Sequence, residues 1–344
     1  MEDNVKKSPP EDEKYNNIFE ELPKSEEKAE TSETSKVALS PKKIYLIVLC
    51  SLLAVIIALS AAVVVLALKC GNNQRIHRAI YDKSQKITLT ESGEMISLYN
   101  ISLGDIRIPA IEGVPKSTYQ NENFVSGGDG FKYYYENSEL CSYVGIDVSV
   151  HNGEIDWEKV AASGVDFVMI RMGGRGYGEE GNIFADDNFK ENLKGAKKAG
   201  LWVGAYFFSQ ATNEKEALEE AEFCIDMLGG EKLDYPLAFD WEIVSTGGST
   251  RCDNVDPQAL TDAARAFCDK VEKEGYIPAL YAGSKVVYYK YDMAQLSDVD
   301  IWYAYYSDEP DLFYNYTIWQ YSQSGRVEGV DGEVDLNICM KNYT

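Results

Sequence analysis

Residues 237–244 read "LAFDWEIV". The apolar side chains suit a buried strand, yet Asp240 and Glu242 sit among them, two positions apart. Side chains alternate between the faces of a strand, so the two carboxylates share one face and Phe239 and Trp241 take the other. A strand otherwise fit for burial therefore aims two acids the same way, and the surrounding chain has to explain why.

Working outward, the stretch is one of a series of short apolar runs: "YVGIDVS", "DFVMIRM", "LWVGAYFF", "YPLAFDW", "IPALYA", "DIWYA", "YTIWQY" and "VDLNI". Between the early ones lie helix-like segments at 156–163, 185–199, 213–228 and 257–273. In one of them, "NEKEALEEAEFCIDML", apolar residues recur at helical spacing and Gly229-Gly230 supplies a stop. Strands alternating with helices predict a parallel sheet with helices outside, closed as an irregular (β/α)8-like barrel. The later connections are too short for full helices. Active sites of such barrels lie at the C-terminal strand ends. Those ends carry Asp147, Tyr206, Asp240 with Glu242, Tyr281, Trp302, and Trp319-Gln320-Tyr321, and the last run carries Asp335. Carboxylates supply the acid and the nucleophile or base of glycoside hydrolysis. Aromatic rings stack on the apolar faces of sugars. Asp156, ahead of "WEKV", is read as a helix N-cap.

The composition excludes other classes. The 344 residues include 56 acidic and 33 basic side chains, a formal charge of −23. Phosphate binding needs clustered Lys and Arg, so nucleic acid is not an expected partner. His77 and His151 are the only histidines, which leaves a histidine-rich metal site or a Ser-His-Asp triad poorly supplied. The seven cysteines form no C-x-x-C pair and are read mostly as small buried thiols. A Cys141–Cys339 bridge would tie the entry of the barrel to its end, but strands running parallel would put the two at opposite ends.

Ahead of the barrel, residues 44–68 ("IYLIVLCSLLAVIIALSAAVVVLAL") carry no charge. As a helix they would reach about 37 Å, enough for the ~30 Å hydrocarbon core, and they are expected to form a single transmembrane span. Residues 1–43 read as a disordered tail. Residues 69–140 read as a stem or linker with one small element, a β-hairpin around Ser92-Gly93. The globular domain is expected at 141–344. Lysines and arginines near the two ends of the span number five against five, so charge bias does not orient it.

The motifs "GIDVSVHNGEIDWEKV", "FVMIRMGGRGYG", "GAYFFS", "LAFDWE", "ALYAG", "IWYAYY", "IWQYS" and "GVDGEVDLNI" stand in the order found in family 25 glycoside hydrolases, which this region resembles over roughly 143–340. The family's muramidases cut peptidoglycan between N-acetylmuramic acid and N-acetylglucosamine. The resemblance implies Glu242 as general acid, Asp240 as its partner, and Asp147 and Asp335 completing the acidic floor. It implies Tyr206, Tyr281 and Trp302 in the sugar cleft, with Arg171 and Gln320 completing the substrate-binding set. It calls for no metal and no cofactor. Both a protein nucleophile and the substrate's own acetamido group fit this residue set. One departure is Phe207, where the family often has His. The expected protein is a membrane-anchored peptidoglycan hydrolase, with its C-terminal domain outside the cell and residues 1–43 in the cytoplasm. The alternatives are a non-catalytic wall-binding module and a glycosidase acting on chitin-like polymers.

Overall fold

A computed structural model describes residues 94–100, 104–244 and 247–344. Among them no helix is long and apolar enough to cross a membrane; the span expected at 44–68 and the tail at 1–43 lie outside them.

The chain first forms a hairpin, β1 (Met95–Asn100) with β2 (Gly104–Pro109), and then a small antiparallel sheet of β3 (Phe124–Ser126), β4 (Lys132–Glu136) and β5 (Glu139–Leu140). The hairpin is not the one expected around Ser92-Gly93: "IRIP" supplies the partner strand, and Ser92-Gly93 lies outside the described residues. Nor are residues 94–140 a linker. Ile96, Val114, Phe131 and Tyr134 are buried in the same apolar cluster as the barrel, and Phe124 packs against Trp319 with ring centroids 5.3 Å apart.

The barrel follows. Its strands are β6 (Tyr143–Val148), β7 (Phe167–Arg175), β9 (Trp202–Ser209), β10 (Leu237–Trp241), β11 (Pro278–Gly283), β12 (Asp300–Ala304), β13 (Ile318–Gly325) and β14 (Val334–Cys339); the short β8 (Ile183–Ala185) hangs on β7. Pairing of β6 with β7 closes the ring. The helices are α1 (Trp157–Ala162), α2 (Phe189–Lys198), α3 (Glu214–Leu228), α4 (Pro257–Lys273) and α5 (Ser284–Tyr289). Asp156 caps α1, its Oδ1 accepting from the Lys159 amide at 3.2 Å. Gly229 ends α3 in the left-handed conformation, φ 58°.

One expectation of the sheet is corrected. The last strand is antiparallel to both of its neighbours. Residues 326–333 connect it to β13, fewer than the dozen or so that a parallel crossover needs. The chain therefore turns straight back, and Asp335 reaches the mouth from the start of its strand. The same reversal brings Cys339 beside Tyr143, at the end of the barrel where Cys141 enters. Both thiols are nevertheless free.

Alternation sorts each strand's side chains. Phe207, Phe239, Trp319 and Tyr321 face outward into the layer beneath the helices and the small sheet. Phe167, Met169, Ala238, Tyr281, Trp302, Ile318 and Cys339 fill the interior. Gly145 and Gly204 make that filling possible. A Cβ at Gly145 would lie 2.2 Å from the Phe167 ring, and one at Gly204 would lie 2.4 Å from Met169 Sδ.

Candidate active site

The upper end of the barrel interior is polar. Asp147, near the end of β6, is 6 % exposed, and its Oδ2 accepts from Gln320 Nε2 at 2.7 Å and Asn337 Nδ2 at 2.8 Å. Each amide is itself held in one orientation. Gln320 Oε1 accepts from the Tyr281 hydroxyl at 2.8 Å and the Tyr306 hydroxyl at 2.9 Å. Asn337 Oδ1 accepts from Trp302 Nε1 at 2.7 Å. Five side chains from β11 to β14 and the loop after β12 therefore fix a single carboxyl oxygen.

Two carboxyl pairs stand at this mouth. Asp147 meets Asp335, and burial and the Asp335 charge push its pKa well above the ordinary carboxyl range. Burial also raises Asp335, against a hydrogen bond from Asp147 that lowers it. Asp240, 4 % exposed, meets Glu242. Burial, then the charges of Glu242 and Asp147, push it well above the usual range, with Arg171 opposing. Its Oδ1 is buried without a hydrogen-bond partner. Glu242 lies just past the end of β10 and is half-buried; burial raises it, and the hydrogen bond from Asp240 lowers it.

In each pair the two carboxyls share a hydrogen bond, and burial raises the pKa of both. Desolvation is strongest at the deeper carboxyl and disfavours its charged form there.

The expected sugar-binding residues separate into two groups. Tyr206 is half-buried at the mouth, edge-on to Trp302 at 5.6 Å, in the fields of Asp147, Arg171, Asp240 and Asp335. Arg171, also part-exposed, is bound through Nε to Asp186 Oδ2 at 2.8 Å. Asp186 further accepts from the Val150 amide at 2.9 Å, which ties the loop after β6 to β7. Trp302, at 1 % exposure, offers no ring face to a ligand, and Tyr281 is 7 % exposed. Both pack edge-to-face at 4.8 Å and, with Gln320, orient Asp147. Phe207 is wholly buried and packs on Phe223 at 5.8 Å, so the departure from His touches the helix layer and not the cleft.

Three residues of this arrangement were not singled out from the sequence. Asn337 and Tyr306 stand inside the quoted motifs "VDLNI" and "IWYAYY", so their signal was present. Asp186 had none. Tyr306 is 49 % exposed, its hydroxyl inside the site and its ring toward solvent. Burial pushes its pKa up to about 12.

An ion-pair cluster buttresses the loop after β10. Arg175 Nε donates to Glu220 Oε1 at 2.6 Å, and Ser209 Oγ donates to Glu220 Oε2 at 2.6 Å. Arg251 Nη1 donates to the Gln210 carbonyl at 3.1 Å and Nη2 to Glu216 Oε1 at 2.5 Å. Gln210 Nε2 donates to the Glu242 carbonyl at 3.3 Å, so the backbone carrying Glu242 is held by the residue that follows β9.

Paired carboxyls at the mouth of a closed (β/α) barrel are an arrangement suited to glycoside hydrolysis. The model of glycosyl hydrolases family 25 matches residues 146–330, and the chain belongs to that family. It is 30 % identical over 195 residues to the autolytic lysozyme of Clostridium acetobutylicum, the alignment covering 56 % of this chain and 54 % of that protein. It is 29 % identical over 206 residues to lysozyme M1 of Streptomyces globisporus, covering 56 % and 66 %. The chain thus spans between half and two thirds of these relatives. Its fold is similar to that of the modular autolysin LytC from Streptococcus pneumoniae, solved with a synthetic peptidoglycan ligand, at TM-score 0.52 and 24 % identity, covering 72 % of this chain and 56 % of that one.

Proposed function

We propose that this protein is a muramidase that hydrolyses the β-1,4 bond between N-acetylmuramic acid and N-acetylglucosamine in peptidoglycan. The observation that carries the proposal is the facing of Asp147–Asp335 and Asp240–Glu242 across one barrel mouth. Family membership and the two lysozyme relatives support it. Glu242, the shallower member of its pair, delivers a proton to the glycosidic oxygen as the bond to the anomeric carbon breaks. Asp335 supports the positive charge that develops on that carbon, and Asp147 and Asp240 hold the two shallower groups in place. Tyr206 and Arg171 line the sugar cleft.

The apolar run at 44–68 supports a single-pass anchor in the cell membrane, with the barrel on the wall side. Mass analysis of the sugars released from purified peptidoglycan tests the activity. N-acetylmuramic acid at the new reducing ends is expected. Binding without release would make the protein a glycan-binding module, and release from chitin-like polymer alone would move the substrate class. Protease treatment of intact cells is expected to remove the barrel and spare residues 1–43; the reverse would invert the topology.

A further inference from the structure

The loop that carries Tyr306, between β12 and β13, is held from outside the barrel. Lys132 on β4 has a side chain only 11 % exposed. Its Nζ donates to the Asp308 carbonyl at 2.9 Å and to Ser126 Oγ at 3.4 Å. It stands 5.8 Å from the centre of the Trp319 ring and 5.7 Å from that of Tyr321. The nearest carboxylate oxygen, Asp308 Oδ1, is 3.7 Å away on an otherwise fully exposed side chain. Asn121 reaches the same loop, its Nδ2 donating to Glu309 Oε2 at 3.1 Å.

An ammonium in this position carries a desolvation penalty that its carbonyl and ring contacts offset only in part. A methionine would fill the same slot between the rings without that penalty. It would lack the donor aimed at Asp308, two residues beyond Tyr306. From there the contacts run inward without a break: the Tyr306 hydroxyl to Gln320 Oε1, and Gln320 Nε2 to Asp147 Oδ2.

We propose that Lys132 is a positioning residue for the hydrolytic site, and that the small sheet at 124–140 is a working part of the catalytic unit although it precedes the family-matched segment. The proposal rests on the muramidase reading for its kinetic consequence. By holding Asp308, Lys132 sets the place of Tyr306, which orients the Gln320 amide that donates to Asp147.

The test uses the full chain and the variants Lys132→Met, Tyr306→Phe and their combination. Lys132→Met is expected to keep or raise the melting temperature while lowering kcat about tenfold, the size of one lost hydrogen bond. The double variant should be no slower than Tyr306→Phe alone, because both changes break one chain of contacts. Multiplied losses, or wild-type kcat in Lys132→Met, would overturn the proposal. Amide hydrogen exchange over residues 303–313 reads the same link without catalysis and should accelerate in Lys132→Met; unchanged protection also overturns it. Should Lys132→Met fail to fold, Asn121→Ala replaces it, with faster exchange in the same peptide expected and unchanged exchange decisive against. An inactive wild-type protein would defeat the muramidase reading, while exchange still decides this one.

Discussion

Asp147 on the first barrel strand and Asp335 on the last are directly opposite one another in an antiparallel ladder. Closure of the ring brings together two acids far apart in sequence. Asp147 Oδ2 is filled by two amide donors, which leaves its other oxygen for the contact with Asp335. A change in the network behind Asp147 should therefore disturb the charge on Asp335.

Trp302→Phe tests that network. It keeps most of the buried ring and removes the donor that holds Asn337 Oδ1, freeing the amide to turn its oxygen toward Asp147. Loss of the hydrogen bond should lower stability by about 1–2 kcal/mol, and kcat is expected to fall about tenfold. Thermal unfolding and reducing-end release measure the two. Full activity in this variant would mean that the Asn337 orientation does not matter.

Glu242→Gln keeps the shape of the side chain and removes its proton. Positioned acid catalysis contributes about 10²–10⁴-fold, so turnover should drop by that range with unfolding little changed. Near-normal release of sugars would remove Glu242 from the role of acid.

Asp240→Asn should separate stability from activity. Because the folded protein raises the Asp240 pKa, it binds more protons than the unfolded chain above the ordinary value of about 3.9. Its favourable contribution is complete below that value and is lost as pH rises toward the folded pKa. Asparagine does not titrate, so the variant should match wild type near pH 4 and become progressively more stable than it toward neutrality, while losing activity. Melting temperatures across that range check the slope; a constant difference would contradict it.

Arg175→Met addresses the buttress. Glu220 has no exposed surface, and burial pushes its pKa up to about 7 despite Ser209 and Arg175. Removing the cation leaves a buried acid without its partner, and breaking such a pair costs about 3–5 kcal/mol. Adding Glu220→Leu should recover most of it, since an apolar pair needs no compensation. Denaturant titration of both variants decides the matter; equal stability of Arg175→Met and wild type would show the ion pair to be idle.

The linear chain determined the barrel strands and the four acids through local rules. Each strand is a short apolar run, each long helix has its period and stop, and alternation along "LAFDW" sends Asp240 inward with Glu242 beyond it. The direction of the last strand was a matter of loop length, and residues 326–333 already carried it. Only the tertiary structure decided what the inward side chains do. Burial depth separates Asp147 and Asp240 from Asp335 and Glu242, and depth depends on every strand around the ring. Trp302 and Tyr281 became supports and not platforms because the interior is packed up to their rings, while Tyr306, one residue beyond a half-buried Tyr305, emerged exposed. The fastening of residues 94–140 to the barrel was hidden for the same reason. Lys132 looks like any surface lysine in sequence, and its partners, Asp308, Trp319 and Tyr321, lie more than 170 residues downstream, where only folding brings them together.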